Sequence, residues 1–302
     1  MEYTTTSSSD LFKPSRIIHG HWRLMDWALS PQALLELTNN CVELGIDTFD
    51  HADIYGNYSC EAAFGAALKL DQSLRKKIKI ITKCGIKLCS DKYPERGIKT
   101  YDYSDQHIKY SVAQSLRNLN TDYLDVLLLH RPAPFFDPAQ VAETFRDLKK
   151  EGKVLHFGVS NFSAQQFMTL QQYLEFPLIT NQIELSPYHL EHFQNGNLAF
   201  CQQHGIAPMA WSPLAQGKLF DPIDDRSNRI KKVLESIAAE LGRSTTDEII
   251  YCWLLQHPAQ IIPIVGSGKL QRIRLAVEAL ELQLTLEQWY RIYNASTGHD
   301  LP

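Results

Sequence analysis

The feature that most constrains this chain is an alternation. Short β-branched or apolar runs recur eight times, each followed by sequence with helical periodicity. The runs are RIIHG (16–20), IDTFD (46–50), IKIITK (78–83), LDVLLLH (124–130), VLHFGVS (154–160), LITNQI (178–183), IAPMAWS (206–212) and QIIPIVG (260–266). Segments such as SPQALLELTNNCVELG, SDQHIKYSVAQSLRNLN and DPAQVAETFRDLKKEGK lie between them. Several open on Ser or Asp and close on Gly or Asn, as helix caps do. Eight βα units without a Pro/Ser linker or a shift in composition predict one α/β domain over residues 1–302. The expected architecture is a (β/α)8 TIM barrel, with additional helices near the C-terminus. A doubly wound sheet is the competitor that periodicity leaves open.

Composition removes several function classes. The 302 residues carry a net charge of −4 with the signs mixed, so neither a nucleic-acid nor a membrane surface is expected. No apolar run approaches the roughly 18 residues of a membrane span. The opening MEYTTTSSSDLFKPS has no signal-peptide pattern and reads, over residues 1–14, as a polar, poorly ordered lead-in. Six irregularly spaced cysteines form no C-x-x-C pair, which fits reduced thiols and a cytoplasmic location. GSGKLQR (266–272) has Gln271 where a G-x-G-x-x-G turn needs glycine, and no P-loop motif occurs.

In such a barrel, catalytic side chains sit at the C-terminal ends of strands. That rule nominates Asp50, Lys83, His130, Ser160 with Asn161, Gln182, and Trp211 with Ser212. A metal site is not expected, because His51, Asp53, His130, His189 and His192 show no metal-binding spacing. A glycosidase pair would need carboxylates on opposing strand ends, and only Asp50 and Asp53 are offered, from one strand. A proton-donating tyrosine is better supplied. A lysine ammonium beside a phenol stabilises phenolate and lowers its pKa from about 10. A carboxylate keeps the lysine charged, and an imidazole positions a carbonyl oxygen. Asp50, Tyr55, Lys83 and His130 make up that set.

These residues resemble the tetrad of the aldo-keto reductases, in particular the bacterial-type NADPH-dependent carbonyl reductases. The matching segments run in order from about Arg16 to Glu281: DHADIYG with CEAAFGAAL, ITKCG, LDVLLLHRP, GKVLHFGVSNF, TNQIELSPY, MAWSPLAQGKL and IPIVGSGKLQRI. The resemblance implies that Tyr55 is the general acid, tuned by Lys83 and Asp50, with His130 orienting the carbonyl. It implies that Ser160, Asn161 and Gln182 hold the nicotinamide carboxamide and that Trp211 stacks on the ring. Ser212, Leu214, Gln216, Gly217 and Lys218 would follow the pyrophosphate, with Gly20 and Trp22 beside cofactor and substrate. Ser267, Lys269 and Arg272 fall where the family grips a ribose 2′-phosphate, which favours NADPH/NADP+ over NADH. At the adenine positions this sequence has Leu275 and Ala276, a departure from the family pattern.

The implied activity is reduction of a small aldehyde or ketone to an alcohol, and a monomer is favoured. A nucleotide-binding sensor or regulatory subunit on the same barrel is the alternative, and a metal-dependent sugar isomerase a weaker one. Trp22, His51, Arg131 and Tyr188 are candidates for the substrate pocket, with His299 and Asp300 in reach from a short tail. Asp53 reads as a solvated loop carboxylate, and Cys84, by strand alternation, points away from Lys83.

Overall fold

The run KIITKC shows how these strands are built. Ile81 packs inside the barrel with Ile18, Val126, Leu128, Met209 and Ile264. Ile80 and Cys84, one residue out of phase, join the larger core beneath the helices. A strand covered on both faces must be apolar on both, which is why the runs read as nearly continuous hydrophobic sequence.

The computed structural model describes residues 12–302, so the expected lead-in falls largely outside the described residues. The barrel strands are β1 (Ile18–Gly20), β2 (Thr48–Asp50), β3 (Lys79–Cys84), β4 (Leu124–Leu129), β5 (Val154–Ser160), β6 (Leu178–Glu184), β7 (Met209–Trp211) and β8 (Ile262–Val265). All pair in parallel with their sequence neighbours, and β8 returns to β1 to close the sheet. Closure settles the barrel against the doubly wound sheet. Beneath it, Phe12 packs on the interior cluster, its ring 5.7 Å from His156 near the start of β5.

The helices begin where the caps predict. α1 (Pro31–Glu43) starts behind Ser30, whose side chain accepts from the Ala33 amide. α2 is Cys60–Leu68 and α3 is Asp105–Asn118, the latter capped by Ser104. α4 (Pro138–Lys150) is capped by Asp137 with proline at its first position, and α5 (Ala164–Gln171) by a Ser163/Gln166 capping box. α6 is Asn197–Gln203. Two helices, α7 (Asp225–Glu240) and α8 (Asp247–Leu255), separate β7 from β8, and α9 (Leu270–Glu278) follows β8. The expected C-terminal addition is α10 (Leu286–Thr297), joined to α8 by reciprocal bonds in which each indole of Trp253 and Trp289 donates to the other residue's carbonyl, at 3.1 and 3.0 Å.

An antiparallel hairpin of Ile86–Lys87 with Thr100–Tyr101, which the sequence did not announce, rises beyond β3. Among the described residues no helix is long and apolar enough to cross a membrane, and all six cysteines are free.

Candidate active site

The strand ends converge on one cleft of about 670 Å³ at the C-terminal face of the barrel. Its floor is organised by Lys83. Parallel register sets Asp50 beside Ile81, two residues before Lys83, so both side chains point inward from neighbouring strands. Lys83 Nζ donates to Asp50 Oδ1 and Oδ2 at 2.8 Å each, to the His51 carbonyl at 2.8 Å and to Tyr55 Oη at 2.9 Å. Asp50 Oδ1 also accepts from Gln182 Nε2 at 2.8 Å. The His130 ring stands 5.8 Å from that of Tyr55, nearly perpendicular to it. The expected tetrad is therefore brought together in space.

Tyr55 reaches the floor through an unusual turn. Gly56, Asn57 and Tyr58 all adopt left-handed conformations, with φ of 57°, 52° and 63°. Such strain accumulates where a side chain must be delivered to a fixed point. A Cβ on Gly56 would lie 2.6 Å from both Cys60 Sγ and Met25 Cγ. Hence Tyr-Gly: the aromatic is placed by a turn that only glycine can follow without displacement. We expect Gly56→Ala to cost about 1–3 kcal/mol and to lower turnover by shifting Tyr55, checked by denaturant unfolding alongside steady-state rates. Unchanged stability and rate would show that the turn is not needed.

Burial governs the electrostatics. It pushes the Tyr55 phenol well above its ordinary value, and Asp50 pushes the same way while Arg131 opposes. This differs from the expectation that lysine lowers it: burial and the Asp50 charge outweigh the hydrogen bond that Lys83 donates to Oη. Lys83 itself is held down by burial, against the pull of Asp50. His130 lies well below the usual imidazole value through burial, then Lys83 and Arg131, and stays neutral at ordinary pH. Its Nδ1 has no hydrogen-bond partner among the described residues.

Opposite the tetrad, Ser160 Oγ donates to the Gln182 carbonyl at 2.9 Å and accepts from Asn161 Nδ2 at 2.7 Å. Trp211 Nε1 donates to Asn161 Oδ1 at 3.0 Å, which fixes the indole at the cleft wall. Asn161 and Ser212 hold φ of 61° and 51°, so two strands end in strained residues at this site. Leu214, Gln216 and Gly217 line the cleft from the loop after β7, and Ser267 and Arg272 from the segment after β8. Gly20 and Trp22 contribute from the end of β1, and Arg131 follows His130.

Other candidates lie elsewhere. His51 is fully buried, its ring 4.4 Å from that of His21 and 4.6 Å from Phe64. One residue past Asp50 it faces the opposite side of the strand, so it is core and not pocket wall. Tyr188 donates to Asp224 at 2.7 Å, with Lys218 Nζ 4.8 Å from its ring; neither lines the cleft. Lys269 is exposed at the start of α9, also outside the lining. At the two adenine positions Ala276 is buried in the core and only Leu275 is partly accessible. Asp53 is buried, not solvated: Oδ2 accepts from Ser111 at 3.1 Å, and burial with Glu61 nearby raises it well above the carboxylate range. His299 and Asp300 fold back on the end of α10, the Asp300 carboxylate accepting from Asn294 at 3.1 Å.

Several lining residues went unnoticed in the sequence. Ile86, Leu88 and Lys99 arrive on the unannounced hairpin, Arg23 on the loop after β1, and Tyr251 from α8. Hydrophobic periodicity carries no signal for the loop and hairpin residues, whose position depends on loop shape, and for Tyr251 it indicates only a buried helix face.

Comparison with known proteins agrees with the architecture. The sequence model of the Aldo/keto reductase family matches residues 16–296. The chain is 52% identical over 288 residues to the uncharacterized oxidoreductase YcsN of Bacillus subtilis, covering 95% of this chain and 96% of that protein. It is 40% identical over 294 residues to the 6-dehydroglucose reductase of Agrobacterium fabrum, covering 97% and 98%. Among solved structures, the thermostable aldo-keto reductase Tm1743 superposes with a TM-score of 0.78 at 22% identity, over 98% of this chain and 100% of that one, a likeness of fold. The protein is thus an oxidoreductase of the barrel type whose relatives act on carbonyl and alcohol groups with nicotinamide cofactors, and the chain belongs to the aldo/keto reductase family.

Proposed function

We propose that this protein reduces an aldehyde or ketone to an alcohol at the expense of NADPH, with Tyr55 as the general acid. The observation that carries the reading is the position of Lys83 Nζ, bonded at once to Asp50 and to Tyr55 Oη on the cleft floor. A protein that only bound nucleotide would have no use for that arrangement.

A nicotinamide dinucleotide fits the residues present. Trp211 offers a half-buried flat ring, and Ser160, Asn161 and Gln182 gather amide and hydroxyl groups beside it. At the far end Ser267 and Arg272 line the cleft, and no ion pair among the described residues engages Arg272. When bound, the reduced nicotinamide supplies a hydride to the carbonyl carbon. The chain does the rest. His130, held neutral, donates an N–H to the carbonyl oxygen and sets its direction. Tyr55 Oη accepts from Lys83, so its own O–H is left to donate into the cleft. As negative charge grows on the substrate oxygen the phenol gives up its proton, and the Lys83 ammonium stabilises the phenolate. Asp50 keeps Lys83 charged where both side chains are buried.

The preference for NADPH rests on Arg272 and Ser267. Titrating tryptophan fluorescence with each nucleotide tests it. We expect NADPH to bind the more tightly, and Arg272→Ala to weaken NADPH by about tenfold or more with little change for NADH. Equal loss for both nucleotides would remove the 2′-phosphate from the argument, and binding of neither would remove the reductase reading. The 40% identity to a protein named 6-dehydroglucose reductase makes sugar aldehydes the first compounds to screen.

A further inference from the structure

Although the chain is acidic overall, with a net charge of −4, its cleft is not. Arg23, Lys99, Arg131 and Arg272 line it, against one carboxylate, Asp50, which is already taken up by Lys83 and Gln182. The lining divides by strand. The loops after β7 and β8 bring Gln216, Ser267 and Arg272 to one side, where the dinucleotide is proposed to lie. The segments after β1, β3 and β4 bring Arg23, Lys99 and Arg131 to the other, beside Tyr55 and His130.

The cations on this second side lie near aromatic rings, Arg23 by Trp22, Lys99 by Tyr101 and Arg131 by Trp211, but none has a carboxylate partner among the described residues. On the hairpin beyond β3, Lys87 is paired with Asp102 at 3.2 Å, and Arg96 with Glu95 at 3.7 Å. None of the ion pairs among the described residues engages Arg23, Lys99 or Arg131. Arg131 is the most informative of the three, being half-buried where the others are exposed. Its guanidinium carbon lies 5.4 Å from the centroid of the Trp211 ring. Its backbone is clamped, because Tyr103 Oη donates to the Arg131 carbonyl at 2.6 Å and accepts from the Arg131 amide at 3.0 Å. Arg131 is also close enough to act on both Tyr55 and His130, the two groups that flank the substrate oxygen. A half-buried guanidinium loses hydration without a carboxylate to replace it, and its planar fork matches an anion bidentately.

We propose that Arg131, supported by Lys99 and Arg23, forms an anion-binding subsite on the substrate side of the cleft. The preferred substrate is then a carbonyl compound that carries a carboxylate or phosphate. This rests on the carbonyl-reductase reading and narrows it.

The test uses matched pairs with the full chain at saturating NADPH. One pair is 4-carboxybenzaldehyde and its methyl ester; the other is glyceraldehyde 3-phosphate and glyceraldehyde. We expect kcat/KM at least tenfold higher for the anionic member of one pair or both, expressed mainly in KM. The pair that shows it tells carboxylate from phosphate. In Arg131→Gln the anionic-to-neutral ratio falls by about tenfold or more, and Arg131→Lys recovers part of it, since an ammonium keeps the charge without the fork. Equal use of both members of each pair by the wild type overturns the proposal. So does an Arg131→Gln enzyme whose ratio is unchanged, or whose loss lies in NADPH affinity instead. If no aldehyde is turned over, the reductase reading fails separately. Binding of 4-(hydroxymethyl)benzoate against its methyl ester to the NADP+-loaded protein, by calorimetry, then decides the subsite alone: tighter binding of the anion, lost in Arg131→Gln, supports it, and equal binding overturns it.

Discussion

Replacing Tyr55 by Phe lowers carbonyl reduction by about 10²–10⁴-fold while NADPH still quenches tryptophan fluorescence. The substitution removes one oxygen and keeps the ring that faces His130. Lys83 loses one acceptor of its four contacts, but both Asp50 oxygens and the His51 carbonyl remain. The fold therefore has little reason to change, and the loss reads directly on chemistry. The pH profile carries a second signature. Because burial and Asp50 hold the phenol above its ordinary pKa of about 10, the proton needed for reduction is present throughout the neutral range. Wild-type reduction should stay flat through neutral pH and fall only on the alkaline side. Alcohol oxidation, which needs phenolate, should rise with pH over the same range. A variant that retains most of its reduction rate, or a wild-type rate that falls with an apparent pKa near that of histidine, would move the acid role away from Tyr55.

What could be read in the sequence and what could not follows from where each residue's position is decided. VLHFGVS forms β5 over the residues expected, since a buried parallel strand imposes its pattern on every position. IAPMAWS is strand only over Met209–Trp211, because the barrel pairs β7 over a short register and the preceding Pro208 is spent in the approach. Asp50 and Lys83 were legible as inward-facing strand ends, and the same alternation would have assigned His51 to the core had it been applied there. Tyr55 is different. Nothing in a period of two or 3.6 brings it over Lys83; the left-handed turn at Gly56–Tyr58 does, and what pointed to it was the complementary chemistry of a phenol, an ammonium, a carboxylate and an imidazole, followed by the resemblance to a family motif. Lys218 was expected at the pyrophosphate from the resemblance and Tyr188 in the substrate pocket, yet Asp224 holds Tyr188 outside the cleft lining, with Lys218 over its ring. Arg23 and Lys99 were silent for the opposite reason: exposed cations on loops look alike until the loops close on one cavity.

Removing the Lys83 charge should be the most damaging single change to the fold as well as to the chemistry. Lys83 is 1% exposed and Asp50 3%, so in Lys83→Met the carboxylate stays buried with Gln182 Nε2 as its remaining side-chain partner. Breaking one half of a buried pair costs about 3–5 kcal/mol, because the other charge is left without compensation. That is a large fraction of the roughly 5–15 kcal/mol that holds a native protein together, and it should lower the melting temperature by about 10 °C. Activity should vanish with it, as Tyr55 Oη loses the group that stabilises its phenolate. The single variant cannot separate the two losses; the double variant Asp50→Asn/Lys83→Met can. With both charges gone the desolvation penalty disappears. The new amide oxygen can still accept from Gln182, and a methionine of similar length fills the lysine channel. We therefore expect the double variant to regain much of the stability lost by Lys83→Met, measured by denaturant unfolding, while its reduction rate stays as low as that of the single variant. Strictly additive destabilisation would mean that the pair is not energetically coupled, and recovery of activity together with stability would mean that Lys83 serves the fold and not the proton transfer.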